Sequence, residues 1–198
     1  RHPERNEVKL KDLRRADLEI CSVKVPRQAR DDKRASTSYL IRHTIYFLCM
    51  KLYLGSDHAG FDLKEQLEAW LLDTEHEMKD LGNLEHDEKD DYPDYGDAVA
   101  KAVTAEEGSR GILLCGNAEG VCIVANKTDG IRAGLGFSVE AARSARNDDD
   151  INIICLPGQM MTLDEAKKVV TAFLDTPFEG AERQVRRLKK IEEIEKDN

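Results

Sequence analysis

The sequence predicts an α/β fold: a single doubly wound domain with a mainly parallel five-stranded sheet and helices on both faces. Three observations carry this. Apolar runs such as Ile112-Leu113-Leu114 are continuous rather than alternating, the mark of strands buried on both sides. Between such runs lie segments of helical period, and strict alternation of strand and helix calls for a parallel sheet covered on both faces. The clearest strand-to-helix passage, Gly111 to Lys127, turns at Cys115-Gly116 and takes helical period from Glu119, with Val121, Val124 and Ala125 on one side.

In chain order, Lys51 to Ser56 reads as the first strand and ends in Asp57-His58-Ala59-Gly60-Phe61. Leu63, Leu67, Trp70 and Leu71 then mark one face of an amphipathic helix. Glu75 to Leu81 is a second strand, and Gly82 to Asp94 an acidic loop whose run Asp87 to Asp91 reads as solvated. Tyr95 to Glu107 is helical, with Val99 and Val103 inward. After the central strand and turn, Ile131 to Leu135 is a fourth strand, and Ser138 caps a helix that runs into Asn147-Asp148-Asp149-Asp150. Asn152 to Leu156 is the fifth strand. Thr162 N-caps the next helix with Glu165 at the capping-box position, and Ala166, Val169, Val170 and Phe173 face its core. A final charged helix, about Glu179 to Lys196, has few core positions beyond Val185, Leu188 and Ile191, a composition suited to reaching a partner subunit.

The domain so read spans residues 50–198. Residues 1–49 differ in kind: they hold 12 basic and 7 acidic residues, net +5, against 18 and 32, net −14, in the remainder. They show no sustained period, and Pro26 interrupts any helix. A disordered basic arm, a targeting segment and translated sequence upstream of a true start are the three readings. Met50 directly ahead of the first convincing strand favours the last, and no function is placed in this extension.

Composition excludes several classes. A net charge of −9 over 198 residues argues against a nucleic-acid partner. No run reaches the roughly 18 apolar residues of a membrane span. The five cysteines (21, 49, 115, 122, 155) form no zinc-type spacing, as expected for reduced thiols in a cytoplasmic protein. Cys122 and Cys155 read as core residues. No dinucleotide fingerprint or P-loop is present, so no nucleotide cofactor is expected. The triple aspartate at 148–150 resembles a metal cluster, but consecutive side chains diverge, and no metal is expected either.

Two features bear chemistry. Cys115 ends a strand at a glycine-bearing turn into a helix, where backbone N–H groups can hold an anion or oxyanion and favour a thiolate. The alternative is a buried cysteine closing a strand. Asp57-His58 supplies a carboxylate and an imidazole on the same predicted sheet edge, the alternative being a helix cap and a surface histidine. Together they point to a polar ligand site.

Here the residues carry a resemblance. Ser56-Asp-His-Ala-Gly-Phe61, Asp91-Tyr-Pro93, Cys115-Gly-x-x-x-Gly120, Ala125-Asn-Lys127, Gly130-Ile-Arg-Ala133 and Glu179-Gly180 resemble, in register over about residues 50 to 191, the type B ribose-5-phosphate isomerases. That family also includes the subunits of galactose-6-phosphate isomerase. The resemblance implies a cofactor-free and metal-free aldose–ketose isomerase, cytoplasmic, working as a homodimer with sites at the subunit interface. It places Cys115 as the base that carries a proton between C2 and C1 of ribose 5-phosphate through an enediolate. Gly116, Asn117, Ala118, Glu119 and Gly120 would hold the enediolate oxygen, while Asp57, His58, Tyr92 and Asp149 would contact the sugar phosphate. Glu119, in the same turn, is a competing base.

Three departures from the family stand out. Asn117-Ala118 replaces Ser or Thr followed by Gly, and Ala118 restricts a turn that needs positive φ. The family's ring-opening histidine falls on Asp148, which could be an acid if Asp149 and Asp150 raise its pKa. One phosphate-binding arginine is replaced by Glu182, leaving Arg186 and, one position along, Arg183. An isomerase of a six-carbon aldose 6-phosphate and a non-catalytic sugar-phosphate-binding paralogue are the other readings.

Overall fold

The computed structural model describes residues 50–197; residues 1–49, with the expectations placed on them and on Cys21 and Cys49, lie outside the described residues. Strands β1 (Lys51–Ser56), β2 (Glu77–Asp80), β3 (Arg110–Cys115), β4 (Ala133–Leu135) and β5 (Ile153–Pro157) alternate with helices α1 (Phe61–Leu71), α2 (Tyr92–Ala105), α3 (Glu119–Ala125), α4 (Val139–Asp149) and α5 (Leu163–Asp175), and α6 (Glu182–Lys196) follows. All strand pairs are parallel, in the order β2-β1-β3-β5-β4. The doubly wound α/β fold expected from the sequence is what the chain forms.

Two cores flank the sheet. On one face Leu52, Leu54, Ile112, Leu114, Ile154 and Leu156 meet Leu63, Leu67 and Leu71 of α1, Ala142 of α4, and Val169, Val170 and Phe173 of α5. On the other, Tyr53, Leu113, Cys115, Ile153 and Cys155 meet Val99 and Val103 of α2 and Val121 and Ala125 of α3. The period-2 geometry of a strand splits its continuous apolar runs between these faces. Cys122 and Cys155 belong to the second core as expected: Cys155 is buried, and Cys122 is half-buried with Sγ 3.5 Å from the carbonyl oxygen of Ala133.

Charged groups complete the packing. Arg110, at the start of the central strand, donates to the carbonyls of Phe173 and Leu174 at 2.6 and 2.7 Å and so closes the end of α5. Its guanidinium also lies 5.2 Å from the centre of the Phe173 ring. Lys64 is fully buried and bonds Asp80 and Glu65, so its ammonium sits inside the carboxylate cluster of Glu65, Glu68 and Asp80.

Several boundaries differ from expectation. α2 starts at Tyr92 rather than Tyr95, because Pro93 sits in the first helical turn, where its fixed φ is favourable and its missing N–H costs nothing. β2 is shorter than read, four residues of alternating exposure at the sheet edge. α6 begins at Glu182, since Gly180 at φ 64° cannot continue a helix and the Ala181 N–H is taken by Gln184 Oε1 at 2.9 Å. Val185 and Ile191, expected as core positions, are 37% and 42% exposed. The buried residue of α6 is instead Gln184, which docks the helix on α4. Among the described residues no helix is long and apolar enough to cross a membrane.

Candidate functional site

The chain leaves β1 towards β2 on one side and returns through β3 on the other, so the sheet has a topological switch between β1 and β3. Ligands of open α/β sheets bind outside the carboxyl ends of the strands at such a point. Ser56 pairs with Leu114, which sets Asp57-His58 level with Cys115, as the sequence predicted. β5 joins them, Cys115 pairing with Pro157. The turns pack closely here: a Cβ on Gly60 would lie 2.8 Å from the carbonyl carbon of Leu114, and Gly158 donates to the Cys115 carbonyl at 2.8 Å.

Cys115 is 6% exposed, its thiol lying beneath the turn 4.0 Å from Asn117 Oδ1. Asn117 Oδ1 also accepts the Glu119 N–H at 3.2 Å, so Nδ2 is the end of this amide able to donate outward. Ala118 adopts φ 70° and is buried. An alanine there carries strain that a glycine would avoid, of order 1–2 kcal/mol. Glu119 is exposed at the first position of α3. The Tyr92 ring rests on Gly120, where an added Cβ would lie 2.7 Å from Cε2, so this glycine is what lets the tyrosine cover the turn.

Asp57 is buried, and its Oδ1 accepts the Gly60 N–H at 3.1 Å. Burial holds its carboxyl above the ordinary range, only partly offset by that hydrogen bond and by His58. His58 lines a cavity of about 530 Å³ with Ala59, Asp62, His86, Glu88 and Gln159. The cavity abuts the cysteine turn, since Ala59 and Gln159 are also the nearest neighbours of Gly116.

The acidic loop corrects one expectation. Asp87, Glu88 and Asp91 are exposed, but the side chain of Asp90 is only 6% exposed and works inside the site. Its Oδ1 accepts the backbone N–H of His58 at 3.1 Å and lies 2.6 Å from His58 Nδ1, and its Oδ2 accepts from Asn83 at 2.6 Å. Sequence reasoning missed Asp90 and Asn83, because a loop has no period to separate one inward carboxylate from its solvated neighbours. The available signal was position, one residue ahead of the Asp91-Tyr92-Pro93 helix start.

The remaining predicted residues lie elsewhere. Asp148 lies in the last turn of α4, which feeds the amino end of β5, and Ile153 there pairs with Gly111. The strand between Gly111 and Cys115 is about 13 Å long at 3.3 Å per residue. Within one chain, therefore, Asp148 and Cys115 sit on opposite edges of the sheet. Asp148 accepts from Gln184 of α6 at 2.8 Å and Ser144 at 3.1 Å, which brings Arg183 and Arg186 to the same edge. The expectation of a raised Asp148 pKa is corrected: hydrogen bonds from Asn147, Ser144 and Gln184 hold its carboxyl below the ordinary range. Its acidic neighbours do not reverse this, because the aspartates diverge. Asp150 binds Arg132 and Arg146, both at 2.8 Å, while Asp149 is exposed.

Strand order, switch-point turns and a cysteine at the end of the central strand define a doubly wound α/β domain with its site on the carboxyl edge. The chain belongs to the Ribose/Galactose Isomerase family, whose model matches residues 52–191. It is 42% identical to ribose-5-phosphate isomerase B of Mycobacterium tuberculosis over 147 residues, 74% of this chain and 91% of the relative. The ribose-5-phosphate isomerase B of Escherichia coli is 38% identical over 136 residues, covering 69% and 91%. Among solved structures, the Mycoplasma genitalium ribose-5-phosphate isomerase B with bound ribulose-5-phosphate superposes with a TM-score of 0.72 at 38% identity, over 75% of this chain and 98% of that one. The ribose 5-phosphate isomerase of Thermotoga maritima gives a TM-score of 0.70 at 41% identity, over 73% and 98%.

Proposed function

We propose that this protein interconverts ribose 5-phosphate and ribulose 5-phosphate, with Cys115 as the base that moves the proton between C2 and C1. The observation that carries the reading is Cys115 beneath a polar turn at the sheet's switch point, in a chain similar at 38% identity to an isomerase holding ribulose-5-phosphate. In the mechanism, the Cys115 thiolate removes the C2 proton of the open-chain aldose. The negative charge that develops on O1 of the enediolate meets the Asn117 Nδ2 and the backbone of Gly116 to Gly120. The O2 hydroxyl proton passes to O1, the thiol returns its proton to C1, and the ketose forms with its carbonyl at C2. Asp57 and His58 hold the sugar phosphate from the β1 side, and Tyr92 closes over the turn. Glu119 is the weaker candidate for the base, since its carboxylate starts on the exposed side of the turn.

Arg183 and Arg186 serve the phosphate, and Asp148 and Asp149 its sugar, from the other sheet edge, so the reading requires a homodimer in which a second copy completes each site. The depressed Asp148 carboxyl suits a hydrogen-bond acceptor and argues against a ring-opening acid. The domain that does this work is residues 50–198, with residues 1–49 as an extension outside it.

The test is Cys115→Ala assayed on ribose 5-phosphate. Turnover should fall at least about a thousandfold, the scale of losing an essential proton-transfer group, while substrate affinity stays within a few-fold. Unchanged residual activity would remove the cysteine from the mechanism. Turnover of six-carbon aldose 6-phosphates in place of the pentose would move the substrate, and sugar-phosphate binding without any turnover would make the chain a binding paralogue.

A further inference from the structure

We infer that Asp90 is a positioning residue for the isomerase site: it fixes His58 with Nδ1–H turned to its own carboxylate and Nε2–H offered to an anionic oxygen of the ligand in the adjoining cavity. The inference rests on the reading proposed above for what the ligand is, but its structural half stands on the geometry alone. One carboxylate oxygen of Asp90 takes both the backbone N–H and the Nδ1 of His58, at 3.1 and 2.6 Å, which fixes the ring's position as well as its tautomer. The other oxygen is held by Asn83 Nδ2 at 2.6 Å, and Asn83 is itself tied to β1 through its N–H to the Ser56 carbonyl at 3.1 Å. A carboxylate this buried and this well satisfied is fixed in place, as a group that orients another must be.

The remaining nitrogen of His58, Nε2, belongs to a ring that lines the cavity beside the cysteine turn. The charged groups around it come from three elements: Asp57 precedes it, Asp62 lies on α1, and Glu88, Asp90 and His86 lie on the loop between β2 and α2. The His86 ring meets that of His58 edge-on at 6.4 Å between centroids and packs on Phe61. Apart from His86, every titratable neighbour is acidic, so the charged imidazolium is favoured, and the hydrogen bond to Asp90 is the largest influence. The burial that works against the Asp90 carboxylate is outweighed by the His58 and Asn83 hydrogen bonds, so Asp90 stays ionised opposite it. His58 is thereby a cation that this cavity presents to substrate, in a lining that also holds the carboxylates of Asp62 and Glu88 and the imidazole of His86.

The experiment titrates His58 by nitrogen-15 NMR in the full chain, wild type and D90N, without ligand and with inorganic phosphate as the probe. D90N keeps an acceptor oxygen for the His58 backbone N–H while removing the charge. The wild-type ring should keep its proton to higher pH than the D90N ring, and should show the Nδ1–H form when neutral. Added phosphate should shift His58 in the wild type and do so at least about tenfold more weakly in D90N, the scale of one charge-assisted hydrogen bond. Two controls separate positioning from loss of fold: D90E should recover much of the titration, and the backbone amide spectrum of D90N should match wild type outside the loop between β2 and α2. Identical His58 titration in wild type and D90N would overturn the inference. In the isomerase assay, the KM of D90N for ribose 5-phosphate should rise about tenfold between pH 6 and pH 8 relative to wild type, with kcat within about threefold. If the wild-type chain does not isomerise the sugar, the function reading fails while the NMR arm still decides the role of Asp90.

Discussion

The two edges of the sheet are built differently. At the carboxyl edge three turns pack backbone to backbone, and Asp57, Asp90 and Cys115 are withdrawn from solvent. Asp57 and Asp90 are held there by hydrogen bonds within the edge itself. At the amino edge Arg183 and Arg186 are exposed on a helix whose one buried residue is Gln184, and Asp148 is held by side chains on the surface. The proton transfer proposed for Cys115 would need groups placed to a fraction of an ångström, which suits the close-packed carboxyl edge. In the function proposed above, binding a phosphate dianion needs cationic reach, which Arg183 and Arg186 of the other edge would add. One chain cannot bring the two together, because the length of the strands lies between them.

The largest effect that would break or sharpen this contrast comes from mixing variants. Cys115→Ala and Arg186→Ala should each be almost inactive alone, one damaged at each edge. Refolded together in equal amounts, they should recover about a quarter of wild-type turnover, since about half of random two-fold pairs are mixed and each mixed pair holds one intact site. No recovery would mean that both edges serve the same copy, or that no shared site exists.

A smaller effect concerns the sign of the Asp148 shift. A carboxyl depressed on folding adds stability that is present above its unfolded pKa of about 4 and is lost as pH falls through the lower folded value. Asp148→Asn should therefore melt below wild type at pH 7, and the gap should close by about pH 3. If Asp149 and Asp150 instead raised the Asp148 pKa, the gap would have the opposite sign at neutral pH, and thermal unfolding at the two pH values decides between them. The smallest effect is on the turn itself. Ala118→Gly relieves positive φ in a buried alanine and should raise stability by about 1 kcal/mol in denaturant unfolding. No gain would show the strain to be absorbed elsewhere in the turn.

The sequence alone determined the architecture from Lys51 onward. Continuous apolar strands, helical stripes such as Leu63-Leu67-Leu71 and the Thr162–Glu165 capping box are local signals, and the structure carries all of them. It also placed Asp57, His58 and Cys115 on one edge, because parallel strands necessarily share a carboxyl end. Tertiary structure alone decided the rest. The order β2-β1-β3-β5-β4, and with it the switch point, depends on which strands meet, which no local pattern encodes. Asp90 became the partner of His58 although 32 residues separate them, because the loop folds back over β1. Asp148 fell on the far edge with a depressed pKa because its hydrogen bonds come from α4 and α6, and bonds at that range outweigh the charges of its sequence neighbours. Residue type and spacing fix what each segment can become, while distances between segments fix the charge and orientation of the groups that would do the chemistry.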